Sequence, residues 1–402
     1  MTVANKNQVR TARPARRFKI KRDVVAGQQA ELLLRVRAEE GLSRVDLARR
    51  MNLAPSTIGI YVDHLVEEGF LFEGKAAERD FGRPPTILAP NPQGGRFIGV
   101  DFEARNIMAI AVDFSQRPIK QFHDTIAATE SVESILSKIE HAIETVNDGD
   151  ERKLLGIGVG VPGVIDPVQG VALSYKHIPG WANVPVTDRL AKRFGVPVFV
   201  ENTIRSMALA ELWFGQCRGL RNFICVGLRS GLGAGIIIDG QVYRGTDNRA
   251  GEIGDWPCAC TGDDRSAKRE GFARLEDLTS LQALRRRFAP GSEKEPGAAS
   301  FEVLAQAARA GDRTVLGFLD QAAEALAVVL TQLNCVFRPE KIVLAGAFAD
   351  FGDQFLGRLE RALKNLDLPG GAPVIVNSLL GPFNGALGAA ALAVHEWKPV
   401  PA

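Results

Sequence analysis

The chain has 402 residues, 46% of them hydrophobic, and carries 49 Lys/Arg against 47 Asp/Glu for a net charge of +2. Such a length suits two or three domains with sizeable cores, and a charge so near zero argues against the whole surface being a nucleic-acid binder. Five cysteines are too few for a disulfide framework, no apolar run reads as long enough to span a bilayer, and the N-terminus lacks the apolar core of a signal peptide; a reduced, cytoplasmic protein with no membrane partner is expected.

The charge is unevenly placed. Residues 1–90 hold 16 Lys/Arg and 11 Asp/Glu, leaving 33 and 36 for the rest. The densest basic block is Lys6, Arg10, Arg13, Arg16, Arg17, Lys19, Lys21 and Arg22, with no acid before Asp23. Residues 1–25 therefore read as a basic, flexible arm suited to phosphate contact. A solvated tail with no such contact reads equally well.

Residues 26–90 carry a helix-turn-helix pattern followed by a wing. A first helix over 28–40 turns Leu32, Leu33 and Val36 inward and stops at Gly41. Ser43 caps the second helix, with Asp46 as its capping-box partner, and Val45, Leu47, Ala48 and Met51 follow. After the turn Asn52-Leu53-Ala54, Pro55 opens a third helix that reaches Glu68. Ile58, Val62 and Leu65 share its core face, which leaves Ser56, Thr57, Gly59, Ile60 and Asp63 outward. Gly69 closes it and Phe70-Leu71-Phe72 begins a wing strand. The second helix of such a pair lies in the major groove and offers its N-terminus to phosphate, so Arg44, Pro55, Ser56, Thr57, Gly59 and Ile60 are candidate DNA contacts. The bland alternative is a three-helix protein-binding domain. Residues 74–95, rich in Gly and Pro, suit a wing and a linker.

From Phe97 the texture becomes α/β. Strands are expected at Phe97–Asp101, Asn106–Phe114, Leu155–Val161, Val198–Val200, Asn222–Gly227, Ala234–Ile238, Lys341–Ala345 and Val374–Asn377. Helices are expected at Val132–Val146, Val186–Phe194, Ile204–Trp213, Leu319–Phe337 and Asn384–Glu396, and an exposed loop at Gly291–Ala299. Two strand-rich halves, before and after about residue 203, are compatible with duplicated lobes. Leu326, Val329, Leu330 and Leu333 form a helical core stripe. His64, His123, His141, His177 and His395 have no metal-like spacing and receive no chemical role.

The stretch SRVDLARRMNLAPSTIGIYVDHLVEEGFL and the following FGRPPTILAPNPQGGRFIGVDF resemble the N-terminal module of ROK (repressor, ORF, kinase) regulators. GLGAGIIIDGQVYRGTDNRAGEIG, Gly231–Gly254, resembles the signature of that family, and the likeness runs on to Val394. It implies a winged helix-turn-helix joined to a two-lobed actin/hexokinase-like (ribonuclease H-like) body over 95–402. Lobe 1 would take about 95–202 plus the C-terminal helix, and lobe 2 about 203–383. It also implies that Gly82-Arg83-Pro84 enters the minor groove, where a narrow groove attracts arginine.

Several positions depart from the family pattern. Gly59-Ile60 replaces a common Ser-Arg, which implies a different base preference through contact with thymine methyl groups. Asp101-Phe102-Glu103-Ala104-Arg105 stands where active kinases carry Asp-x-Gly-Gly-Thr, whose backbone cradles phosphate; Glu103 would repel a polyphosphate. Asn202-Thr203 replaces Asn-Asp, so the carboxylate that would take a sugar proton is missing. The positions implied for zinc hold Asp255 in place of His and Arg274 in place of the last Cys, and Cys258-Ala259-Cys260 falls too early, so no metal is expected.

The sugar contacts implied by the resemblance are Pro162, Gly163, Asn202, Thr203, Glu252, Asp255 and Glu276, whereas Trp181 reads as scaffold. A sugar-responsive repressor that is not an enzyme is therefore expected, with no cofactor. Its partners would be double-stranded operator DNA, a sugar or sugar derivative, and a homodimeric or homotetrameric assembly. Alternatives are a sugar kinase with an accessory DNA-binding head, and a regulator that no longer senses sugar.

Overall fold

The structure is a computed structural model describing residues 15–75, 86–103, 105–127, 129–229, 231–259, 272–280, 283–284, 301–346, 351–366 and 370–400, with the backbone alone at 15–22, 75 and 301–302. The chain divides into two compact units, residues 1–94 with 395–402, and residues 95–394. The expected body, 95–402, is thus corrected at its end. Trp397 meets Phe70 edge-on, with ring centroids 5.2 Å apart, and so belongs to the N-terminal unit.

That unit has three helices, α1 (Ala15–Ala38), α2 (Arg44–Met51) and α3 (Pro55–Glu67), then an antiparallel pair β1 (Leu71–Lys75) and β2 (Thr86–Pro90). α1 begins at Ala15, so the expected flexible arm is corrected over residues 15–25. Residues 16–26 hold no Gly or Pro and several Lys and Arg, good helix formers that let the helix extend upstream of its apolar stripe. Residues 1–14 and the wing tip Gly82-Arg83-Pro84 lie outside the described residues. The core is Leu32, Leu33, Val36, Leu47, Ile58, Val62, Leu65, Leu71 and Leu88, all at most 2% exposed. The capping box forms as expected: Asp46 N–H donates to Ser43 Oγ and Ser43 N–H to Asp46 Oδ2. Asn52, left-handed at φ 52°, ends α2.

The larger unit contains two sheets of the same design. In the first, β3 (Arg96–Phe102), β4 (Asn106–Asp113) and β5 (Pro118–Thr125) form an antiparallel meander, and β6 (Leu154–Val161) and β10 (Val198–Asn202) extend it in parallel, in the order β10-β6-β3-β4-β5. Between β6 and β10 lie a small sheet, β7 (Val164–Asp166), β8 (Val171–Ser174) and β9 (Ala182–Val184), and the helix α5 (Val186–Phe194); α4 (Val132–Asn147) precedes β6.

In the second sheet, β11 (Phe223–Leu228), β12 (Leu232–Ile238) and β13 (Gln241–Val242) form the meander. β16 (Lys341–Ala345) and β17 (Ile375–Asn377) extend it in parallel, in the order β13-β12-β11-β16-β17. α6 (Thr203–Trp213) leads from the first sheet to the second, and β14 (Pro257–Ala259), β15 (Phe272–Arg274) and α7 (Leu275–Thr279) follow β13. The helices α8 (Phe301–Arg309), α9 (Arg313–Phe337), α10 (Asp353–Asn365) and α11 (Asn384–Glu396) complete the chain. The repeated strand order makes the two halves duplicated ribonuclease H-like lobes.

The C-terminal helix packs on the first lobe. A Cβ at Gly99 of β3 or Gly158 of β6 would stand 1.9 Å from Ala386 O or 1.8 Å from Ala389 O. Only glycine lets α11 lie directly on those strand backbones.

Three expectations shift. β5 was not anticipated, because its sequence PIKQFHDT is polar and mostly exposed on the sheet edge. α9 starts at Arg313 rather than Leu319, capped by the Asp312 carboxylate. α9 is also apolar enough, at mean hydropathy 1.4, to cross a membrane by length and composition, contrary to the expectation of no such run. Half of that window is buried in the protein, where Val315, Phe318, Leu319, Leu326, Leu330 and Leu333 pack into the core of the second lobe. The loop expected at Gly291–Ala299 lies outside the described residues.

Candidate functional site

A cleft of about 300 Å³ opens in the larger unit, and all seven expected sugar-contact residues, Pro162, Gly163, Asn202, Thr203, Glu252, Asp255 and Glu276, line it. Chain reversals and helix starts place them there. β6 ends at Val161, and Gly163 turns the chain at φ +79°, where a Cβ would strike Ser174 O at 2.2 Å. Asn202 ends β10 and caps α6, whose first residue is Thr203. Glu252 precedes a 3-10 turn, Ile253–Asp255, and Glu276 lies on α7.

These side chains are not equally free. Asn202 Oδ1 accepts from the Ile204 and Arg205 N–H groups, and Nδ2 donates to Gly163 O at 2.9 Å. One amide hydrogen remains for a ligand. Thr203 Oγ1 is buried, and its hydroxyl helps to hold the Asp101 carboxyl down. Glu252 presents surface to the cleft, and its carboxyl is pushed up by burial and by Asp255, against the pull of Arg205 and Arg249. Such carboxyls and hydroxyls suit sugar hydroxyls, which enter a site only where their hydrogen bonds are replaced.

At the cleft floor an arginine holds the two acids of the Asp101–Arg105 stretch. Arg229 Nη1 donates to Asp101 Oδ2 at 2.6 Å, and Arg229 Nε stands 3.4 Å from Glu103 Oε2. Burial pushes the Asp101 carboxyl up against the pull of Arg229. Burial alone would lower the Arg229 guanidinium, but Asp101 and Glu103 more than offset it, so it stays charged. Glu103 therefore does not face the cleft as a lone negative charge, as expected, but as half of an ion pair. Sequence reasoning passed over Arg229. The signal was an Arg between strands where glycines cluster, Leu228-Arg229-Ser230-Gly231.

Two further pairs line the mouth. Lys176 Nζ donates to Glu276 Oε2 at 2.6 Å, and His177 Nε2 stands 3.7 Å from Glu276 Oε1. Burial would raise the Glu276 carboxyl, but His177 and Lys176 hold it down to about 2. His177, given no role from spacing, thus faces the cleft with its buried Nε2 directed at Glu276. Arg274 spans Asp277, at 3.0 Å, and Asp255, at 3.4 Å. The positions that the family resemblance gave to a zinc His and Cys are thus joined by an ion pair. Among the described residues no three His, Cys, Asp or Glu stand together as a metal site would require. Cys258 pairs with Ala273 across β14 and β15, and Cys260 lies outside the described residues. Trp181, 2% exposed, packs edge-on against Phe102 at 5.0 Å, consistent with a scaffold role.

On the smaller unit, α3 presents Pro55, Ser56 and Ile60 to solvent, with Thr57 and Gly59 half-buried. Arg44 is committed: its guanidinium pairs with Asp63 of α3 and Glu73 of β1, each at 2.7 Å. Gln29 Nε2 lies 3.0 Å from His64 Nδ1, and Tyr61 Oη donates to Gln28 Oε1, tying α3 to α1.

Residues 97–396 match the ROK family model. The chain belongs to the ROK family. This ROK chain is 28% identical to a xylose repressor of Caldicellulosiruptor bescii over 80% of its own length and 83% of the relative's. It is 30% identical to a glucokinase of Thermotoga maritima over 74% of its length and 96% of the relative's. Among solved structures, a ROK glucokinase from Streptomyces griseus in complex with glucose and AMPPNP, 26% identical, superposes with a TM-score of 0.63 over 74% of this chain and 99% of the other. A ROK transcriptional regulator homologous to the Escherichia coli MLC protein, 23% identical, shares the fold over 93% of this chain and 97% of its own, with a TM-score of 0.75.

Proposed function

We propose that this ROK protein is a cytoplasmic, DNA-binding transcriptional repressor that acts as a homo-oligomer and does not engage the membrane. Its cleft takes a sugar or sugar derivative as effector and does not phosphorylate it. The observation that carries this reading is a helix-turn-helix unit on the same chain as a kinase-like cleft with Thr203 at the base position. A threonine hydroxyl cannot take a proton near neutral pH as a carboxylate does. Phosphoryl transfer rests on positioning and charge neutralisation, and the Asp101–Arg229–Glu103 group fills the stretch where an open glycine cradle is needed. The xylose repressors of Caldicellulosiruptor bescii and Bacillus subtilis align with 80% and 92% of this chain, which supports the repressor reading over the full architecture.

DNA would be read by Pro55, Ser56, Thr57, Gly59 and Ile60 of α3, with Arg83 in the minor groove. Arg44, neutralised by Asp63 and Glu73, would orient α3 and the wing strand, although it remains a candidate phosphate contact. Two half-sites demand two heads, hence the oligomer. The effector acts by preferring one state of lobe closure over the other, which alters head spacing.

The test is fluorescence anisotropy of the full chain with duplexes from upstream of its own and neighbouring genes, with and without xylose, glucose, N-acetylglucosamine and their phosphates. One sugar should shift operator affinity by 5-fold or more, the scale of typical coupling. Constant affinity across the panel would remove the effector role. The second reading, a sugar kinase with an accessory DNA-binding head, draws on the Thermotoga maritima glucokinase likeness. Sugar-dependent ADP release in a coupled assay would establish it in place of the first.

A further inference from the structure

We propose that Ile60 reads the 5-methyl group of a thymine in the major groove and thereby sets the base preference of the head. The inference rests on the DNA-binding reading above. α3, PSTIGIYVDHLVE, has no Lys or Arg along its length. It therefore lacks the guanidinium or ammonium that makes the commonest specific contact, to guanine O6 and N7. The arginine that does reach α3, Arg44, is held by Asp63 and Glu73 at 2.7 Å each and donates to Gly59 O, so it has no free fork to offer a base.

Among the exposed residues of α3, Pro55, Ser56, Ile60, Asp63 and Glu67, the large apolar side chain is Ile60. Ile60 is 65% exposed, whereas Ile58, Val62 and Leu65 of the same helix are fully buried. Gly59 beside it is not required by packing: a Cβ there would meet nothing closer than Arg44 Nη1 at 4.0 Å. A glycine inside a helix costs about 1 kcal/mol relative to alanine. Here it leaves open space flanking Ile60, into which a groove wall can advance. A branched aliphatic side chain with room beside it matches the thymine methyl, the one apolar group on the major-groove edge of a base.

The full chain is used to enrich duplexes from a random-sequence pool, and each thymine of the enriched site is then replaced singly by deoxyuridine. One thymine per half-site should lose about fourfold in affinity on replacement, the worth of one buried methyl group. At that position 5-methylcytosine should bind tighter than cytosine by a similar factor. Ile60→Ala should bind the thymine and deoxyuridine duplexes equally while still binding DNA, its fold checked by circular dichroism. Thymine and deoxyuridine equal at every position, or a difference that persists in Ile60→Ala, overturns the inference and leaves DNA binding standing. If no duplex is enriched, the DNA-binding reading itself falls and this inference with it.

Discussion

Asp101 and Arg229 form the kind of buried pair in which removing one partner costs more than the pair contributes. Asp101 is 1% exposed, and Arg229 carries most of its compensation, with a smaller share from the Thr203 hydroxyl. Arg229→Ala is expected to lose roughly 3–5 kcal/mol in a urea unfolding series. The double variant Asp101→Asn/Arg229→Leu should recover much of that loss, because it leaves no lone buried charge. Glu276 gives a pH signature. Its carboxyl is held down to about 2 in the fold, against about 4.3 for an unperturbed Glu. The stability it contributes is present above the unfolded value and drains away as pH falls toward 2. Glu276→Gln should therefore flatten the acid limb of melting temperature against pH between about 4.3 and 2, and leave the curve above pH 6 parallel to that of the parent.

At the scale of elements, caps and glycine contacts decide where helices begin and how closely they approach. Asn202 caps α6 and also ties it to Gly163. Asn202→Ala is expected to cost about 1–2 kcal/mol, and Ser43→Ala, which opens the capping box of α2, about 1 kcal/mol, both measured as shifts in denaturant midpoint at constant slope. The elements that the sequence revealed were those with strong periodicity or an explicit cap: α2, α3, α4, α5 and the apolar strands β3, β6, β11 and β16. The ones it hid were polar or masked by stronger neighbours. β5 alternates little and lies on an edge, and the first turns of α9 precede its dense apolar stripe and are announced only by Asp312. α1 extends to Ala15 because residues 16–26 hold no Gly or Pro, and Lys and Arg are good helix formers.

For the whole molecule, the repeated strand order joins two lobes around one cleft, and cross-lobe ion pairs span it. Arg229 of the second lobe reaches Asp101 of the first, and Glu276 of the second reaches Lys176 of the first. Lys176 is half exposed while Arg229 is buried, so the mouth pair is the one that salt screens and water competes for. Lys176→Ala is expected to change thermal stability by under about 1 kcal/mol. It should change sugar affinity less than Asn202→Ala does, because Asn202 and not Lys176 is an expected sugar contact, as read by calorimetric titration with whichever sugar shifts DNA binding. A ligand present at about a hundred times its Kd should raise stability by about 2.7 kcal/mol, seen as a concentration-dependent melting temperature.

The sequence by itself determined the helix-turn-helix pattern and the α/β body, because periodicity and caps are local and survive reading in one dimension, whereas the seven residues expected in the cleft came from the family resemblance. It also determined that position 203 holds a hydroxyl rather than a carboxylate, since that is a matter of residue identity. Tertiary structure alone decided how the cleft is charged. Asp101 and Arg229 lie 128 residues apart, and Lys176 and Glu276 lie 100 apart. No local pattern announces such pairings, because they exist only once two lobes have folded and closed on each other. The same holds for Arg44, exposed by its sequence pattern yet claimed by Asp63 and Glu73 once α2, α3 and β1 pack together.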